Sequence, residues 1–197
     1  MLKNILFIVS HLNSGYEYLI NSLNTNERID IKYSQLTYSH PEILDYLFSQ
    51  GHKLNNSACF YGDLILFNKN ISSKSFYSFS NFIFLIREPE FVLNSLIQSD
   101  KFNELSAYRY YSFRLRRMYE MTHYSKKYKF LSYNDLFLDE TYKEILSYFK
   151  IKGKINRINP DKVILNNKIS KNLLNKANDT YEKYLYMFKN INHLTNH

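Results

Sequence analysis

The sequence predicts an α/β fold of three layers, with a central, mainly parallel sheet flanked by helices. Short, continuously apolar runs of strand length recur along the 197 residues and alternate with segments of helical period. The runs at 5–9 and 82–86 are apolar throughout, as strands covered on both faces must be. No stretch rich in Pro, Gly or Ser divides the chain and no internal repeat is present, so one domain over residues 1–197 is expected.

The first strand, 5–9, runs into Ser10-His11-Leu12-Asn13-Ser14-Gly15-Tyr16-Glu17-Tyr18-Leu19, and Leu19, Ile20 and Leu23 then set a helix over 16–24. A strand, a tight Ser-Gly loop and a helix start together present backbone N–H groups and a helix N-terminus to an anion. The loop is not a Walker A sequence, because the second glycine and the Gly-Lys-Ser/Thr ending are missing. A second strand is expected at 29–33, a helix at 41–50 after Ser39-His40-Pro41-Glu42, and a third strand at 64–67. The fourth strand, 82–86, ends in Arg87, and Pro89 opens a helix over 89–99 that carries Ser95 about two turns on.

In open α/β sheets the carboxyl edge of the strands is where ligands bind, so Arg87 and the Ser95 hydroxyl are spaced to grip one phosphate. The plain alternative is an arginine that caps its strand and pairs with Glu88 or Glu90. Further on, a helix over 103–123 carries an apolar stripe of Leu105, Tyr108, Tyr111, Leu115, Met118 and Met121. A fifth strand at 129–132 and helices at 139–149 and 170–189 complete the pattern.

These motifs, in this order, resemble the sulfotransferase family that uses 3'-phosphoadenosine-5'-phosphosulfate (PAPS), whose fold is P-loop-NTPase-like. Arg87-Glu88-Pro89 with Ser95 is similar to that family's Arg-Asp-Pro element, in which the arginine and a serine eight residues later hold the 3'-phosphate. Asn13-Ser14-Gly15-Tyr16-Glu17 matches the loop around the 5'-phosphosulfate at its Ser-Gly centre. It departs at Asn13, where the family has a basic residue, and at Tyr16 and Glu17, where it has threonines. Asp63-Leu64-Ile65-Leu66-Phe67-Asn68-Lys69-Asn70 resembles a segment of the protein-tyrosine branch whose lysine contacts the transferring sulfate. Phe130-Leu131-Ser132-Tyr133-Asn134-Asp135-Leu136 is similar to a strand ending in Tyr-Glu-Asp-Leu.

The resemblance spans roughly residues 1–152 and implies sulfuryl transfer from PAPS to a hydroxyl or amine, with a glycan or small metabolite as acceptor. It implies Asn13, Ser14, Gly15, Tyr16, Glu17, Arg87 and Ser95 as donor-binding residues and Lys69 as charge stabiliser; for the base the sequence offers His40 and Glu42 after the second strand, with His11 in the first loop as the other candidate. A carboxylate at Glu17 suits the helix dipole but repels an anion unless it turns outward. A relative that keeps the fold and binds a nucleotide or glycan without transfer is the alternative these substitutions raise.

Composition bounds the remaining classes. The formal charge of +8 favours an anionic partner. Its densest basic cluster, Arg109, Arg114, Arg116 and Arg117, interleaves with Tyr108, Tyr110, Tyr111 and Phe113 as nucleic-acid proteins do. The helical stripe instead reads it as a solvated flank with some arginines turned to the ligand edge, so no nucleic acid is expected. The single Cys59 excludes an intramolecular disulfide and reads as a small buried hydrophobe. No His or Cys spacing suggests a metal site, and no Gly-x-Ser-x-Gly elbow suggests acyl transfer. The first apolar run is too short for a signal peptide or a membrane span, so a cytoplasmic location is expected.

Overall fold

The structure, a computed structural model, describes residues 5–33, 57–62, 81–123, 125, 127–158 and 168–194. Five strands form one sheet: β1 (Ile5–Ser10), β2 (Ile29–Tyr33), β3 (Ser57–Gly62), β4 (Asn81–Ile86) and β5 (Lys127–Ser132), in the order β2-β3-β1-β4-β5. Every adjacent pair is parallel, with Leu6 opposite both Cys59 and Asn81. The helices are α1 (Tyr16–Leu23), α2 (Pro89–Gln98), α3 (Glu104–Thr122), α4 (Asp139–Tyr148) and α5 (Lys171–Leu194), with a 3₁₀ turn at Tyr133–Phe137.

Strand periodicity divides the core into two layers of contact. On one face Phe7, Val9, Phe82, Phe84, Ile86 and Phe130 pack against α2, α3 and α5. On the other, Leu6, Ile8, Ile83, Leu85 and Leu131 meet Leu19, Ile20 and Leu23 of α1 and Ile145 of α4. The fully apolar runs of β1 and β4 follow from this: each is buried from both sides. Phe188 of α5 stacks on Phe130 at 4.5 Å between ring centroids, which seats the last helix on the sheet.

Local sequence sets the helix starts. Pro89 occupies the first turn of α2, and the Asn103 side chain accepts from Ser106 N at 2.9 Å to cap α3. Ser132 and Asp135 form a capping box that fixes the turn after β5. The predicted helices at 16–24, 89–99, 103–123 and 139–149 match α1 to α4 within a residue or so, and the last helix runs five residues beyond the expected 189. The expected helix at 41–50 and strand at 64–67 lie outside the described residues. Strand β3 was not expected: its apolar run, Ala58-Cys59-Phe60-Tyr61, is short and holds no Val, Ile or Leu.

The apolar stripe of α3 needs one correction. Tyr111, Leu115, Met118 and Met121 are buried, whereas Leu105 is exposed and Tyr108 half-buried; Ala107 takes the inward place in the first turns.

Candidate functional site

The strand order places β1 at the point where connections diverge. The chain leaves β1 towards β2 on one side and leaves β4 towards β5 on the other, so a crevice opens at the carboxyl ends of β1 and β4. Residues from three strand ends meet there: the loop 10–15, Arg87 and Tyr133.

The loop bends through Asn13 (φ 58°) and Gly15 (φ 86°), both left-handed. Gly15 is the N-cap of α1, and no side chain caps that helix start. Ser14 N donates to His11 O at 3.3 Å and Tyr18 N to Gly15 O at 3.1 Å, so the loop closes on itself, and it is the positive end of the α1 dipole that disposes this helix start towards an anion. Gly15 is also required by space, because a Cβ there would lie 2.4 Å from Tyr133 Cε2. Ser14 is fully buried, and its Oγ has no hydrogen-bond partner.

Arg87 follows directly on β4 and is buried. Its guanidinium carbon lies 3.7 Å from the Tyr133 ring centroid and 4.3 Å from that of Phe91. Nη1 donates to Asn13 O at 3.3 Å, which ties β4 to the loop, and Nε is buried with no partner. Burial lowers the Arg87 pKa, and Tyr133, Glu88, Tyr18 and Glu17 pull it back up. Tyr133 itself is raised by burial, with Arg87 acting the other way. Glu88 Oε1 accepts from Asn134 Nδ2 at 2.6 Å, so this carboxylate is directed to the turn after β5, not into a pair with Arg87.

Helix α3 braces both strand ends. Tyr111 donates from its hydroxyl to Arg87 O at 2.6 Å, Arg114 Nη2 donates to Ser10 O at 3.0 Å, and the Tyr110 hydroxyl accepts from Leu12 N at 3.0 Å. Arg114 is thus buried at the ligand edge, while Arg116 and Arg117 hold Glu120 on the same helix and Arg109 is exposed.

His11 corrects one expectation. It is buried, its Nδ1 donates to Leu12 O at 2.9 Å, and its Nε2 accepts from Arg87 N at 3.1 Å. The lone pair a general base would use is therefore engaged, and burial, aided by Arg114 and Arg87, lowers its pKa to about 4. His11 is a neutral crosspiece, not a base.

The other predicted residues fall as follows. Asn13, Ser14, Gly15, Tyr16 and Glu17 form the loop and first turn of α1, with the Glu17 side chain exposed. Ser95 lies half-buried in the second turn of α2. Lys69, His40 and Glu42 lie outside the described residues. Sequence reasoning missed Tyr133, Phe91, Tyr110 and Tyr111 as parts of this edge. Of these only Tyr133 carried a local signal, since it follows the end of β5 as Arg87 follows β4. Among the described residues no group of His, Cys, Asp or Glu is placed to hold a metal, and no helix is long and apolar enough to cross a membrane.

No protein-family model and no curated protein matches the sequence. Among solved structures the chain is similar to mouse sulfotransferase SULT7A1 complexed with PAP, at a TM-score of 0.51 and 10% identity. The likeness covers 91% of this chain and 64% of the mouse one. At that identity what is shared is architecture, and this chain has a sulfotransferase-like α/β fold.

Proposed function

We propose that the chain is a sulfotransferase that takes its sulfuryl group from PAPS and transfers it to a hydroxyl or amine acceptor, a glycan or small metabolite. The observation that carries this reading is the junction of Arg87 with the Asn13–Gly15 loop. A buried guanidinium lies over two aromatic rings beside a helix start that no side chain caps, at the switch point of a parallel sheet. The residues fit an oxyanion: Ser14 Oγ and Arg87 Nε are buried donors without acceptors, and a phosphate or sulfate oxygen is the acceptor both lack.

In this reading Ser14 Oγ and the start of α1 as far as Glu17 cradle the 5' group, the Ser14 N–H being held by His11 O, and Arg87 with Ser95 holds the 3'-phosphate. Bound PAPS supplies the activated sulfuryl group and a phosphate leaving group. The chain's own work is positional and electrostatic. Contact with the Tyr133 and Phe91 rings restricts the orientation of the planar Arg87 fork, and the Nη1 bond to Asn13 O holds it against the loop. Lys69, in keeping with the lysine it resembles, stabilises the departing charge, and His40 or Glu42 is the candidate to take the acceptor proton.

One observation favours a second reading, a nucleotide-binding relative without transfer. Asn13 offers the loop a carbonyl that accepts from Arg87, and no cation stands at its position.

Calorimetry with adenosine 3',5'-bisphosphate and 5'-AMP tests the site. A charge-assisted contact is worth roughly 1.5–3 kcal/mol, so the bisphosphate is expected to bind about tenfold or more tighter, and Arg87→Ala to erase the difference. Equal affinity of the native protein for the two nucleotides would sink the assignment. Tight bisphosphate binding with no transfer of labelled sulfate from PAPS to sugars, phenols or amines would select the second reading.

A further inference from the structure

We propose that His11 is a positioning residue, whose imidazole supplies the strand-to-strand hydrogen bond that the β1 backbone no longer offers β4 and so fixes Arg87 against the Ser14–Gly15 loop. This deepens the anion-site reading above and rests on it for its ligand arm.

The register gives the reason. Pairing of β1 with β4 ends at Ser10 opposite Leu85, and the chain beyond Ser10 turns away into the loop. Arg87 is buried two residues past that last pair and one past the last pair of β4 with β5, so its N–H is shut off from water beyond the end of both ladders. A buried donor left without an acceptor costs on the order of 1–3 kcal/mol. His11 Nε2 fills the gap at 3.1 Å. The Nδ1 bond to Leu12 O sets the tautomer that makes Nε2 an acceptor, and Leu12 is itself held by the Tyr110 hydroxyl.

The carbonyl of the same residue is held too. Arg87 O accepts from Tyr111, whose ring also meets His11 edge-on at 5.2 Å. Both backbone polar groups of Arg87 are thus engaged by side chains, one from β1's continuation and one from α3. A guanidinium springing from a fixed backbone, already stacked on two rings, has little freedom left to lose when it meets an anion.

The test separates the acceptor from the ring. His11→Gln keeps an acceptor at about the reach of Nε2, whereas His11→Phe keeps the ring and loses the acceptor. Amide hydrogen exchange of Arg87, imidazole ¹⁵N shifts of the native protein and bisphosphate affinity are measured. The native protein is expected to show the Nδ1-protonated tautomer at pH 7. In His11→Phe the Arg87 amide should exchange at least tenfold faster and bisphosphate affinity fall at least tenfold, while Ile83 and Phe84 keep their protection. His11→Gln should restore most of both.

An Nε2-protonated tautomer would overturn the proposal, as would a His11→Phe protein with unchanged Arg87 exchange, or one in which Ile83 and Phe84 lose protection equally. The tautomer is read on the native protein and needs no variant to fold. Failure of the native protein to bind bisphosphate overturns the nucleotide reading instead, and exchange and tautomer then decide the role of His11.

Discussion

Acidification should weaken this fold through one imidazole, and the size of the effect follows from its surroundings. His11 is 1% exposed and faces Arg87 at the end of β4 and Arg114 and Tyr111 on α3, so a proton on its ring would be desolvated and set beside two guanidinium groups. Its pKa falls from 6.5 to about 4 on folding. Above pH 6.5 both states hold a neutral ring and nothing is lost. Between 6.5 and 4 the unfolded chain takes up a proton that the folded one refuses, so stability declines as pH falls. At about 1.4 kcal/mol per pH unit the gap comes to about 3 kcal/mol by pH 4. Carboxylates titrate in the same range, so the quantity to measure is the difference between native protein and His11→Gln in urea unfolding at a series of pH values. The native protein should lose about 3 kcal/mol relative to the variant between pH 7 and pH 4. Parallel pH curves for the two proteins would refute the reasoning.

Gly15→Ala should cost about 2–4 kcal/mol in urea unfolding, because the left-handed φ of 86° and the 2.4 Å approach to Tyr133 both act against a Cβ. A double-mutant cycle with Tyr133→Leu should show about 1 kcal/mol or more of coupling. Asn94 is buried in α2, its Oδ1 accepting from Lys168 N at 2.7 Å and Ile169 N at 3.2 Å, so Asn94→Ala should cost about 2–3 kcal/mol and raise exchange at the start of α5 first. Glu17→Gln should leave donor affinity nearly unchanged in calorimetry, since the carboxylate is exposed; a marked gain would place it inward against the anion.

Much of the architecture was readable because burial on two faces leaves a plain mark. Strands β1 and β4 carry no polar residue through their centres, and Arg87 stands out where that run stops. Pro89 and Gly15 announce helix starts by backbone chemistry alone. Strand β3 left a fainter mark: its apolar run, Ala58 to Tyr61, is short, lies between Ser57 and Gly62 and holds no Val, Ile or Leu, so pairing with β1 and β2 does more than local pattern to decide its state.

The site was readable at its chain-local parts and silent at its long-range ones. The Ser14–Gly15 loop and Arg87 each sit at a strand end that sequence could locate. Nothing local says that Tyr133, 118 residues after Gly15, presses on it, or that Arg114 reaches back 104 residues to Ser10. Arg114 belongs by period to a basic cluster, and only the packing of α3 on β1 takes it inside while Arg116 and Arg117 remain with Glu120. His11 illustrates the converse: a residue type that suggests proton transfer is, once buried between strand ends, a fixed acceptor.

The all-parallel strand order has a kinetic consequence. No described pair of strands is joined by a hairpin, and β1 takes its two neighbours from segments that begin at Ser57 and Asn81. Loop closure must precede every pairing, so contacts should form late and together, and folding should be slow for the chain's size. The cradle exists only when β1, β4 and β5 are all in place, because the loop, Arg87 and Tyr133 come one from each. An anion held there binds the finished sheet and no half-assembled form of it, and so should act as a lock on unfolding, lengthening the lifetime of the native state without hastening its formation.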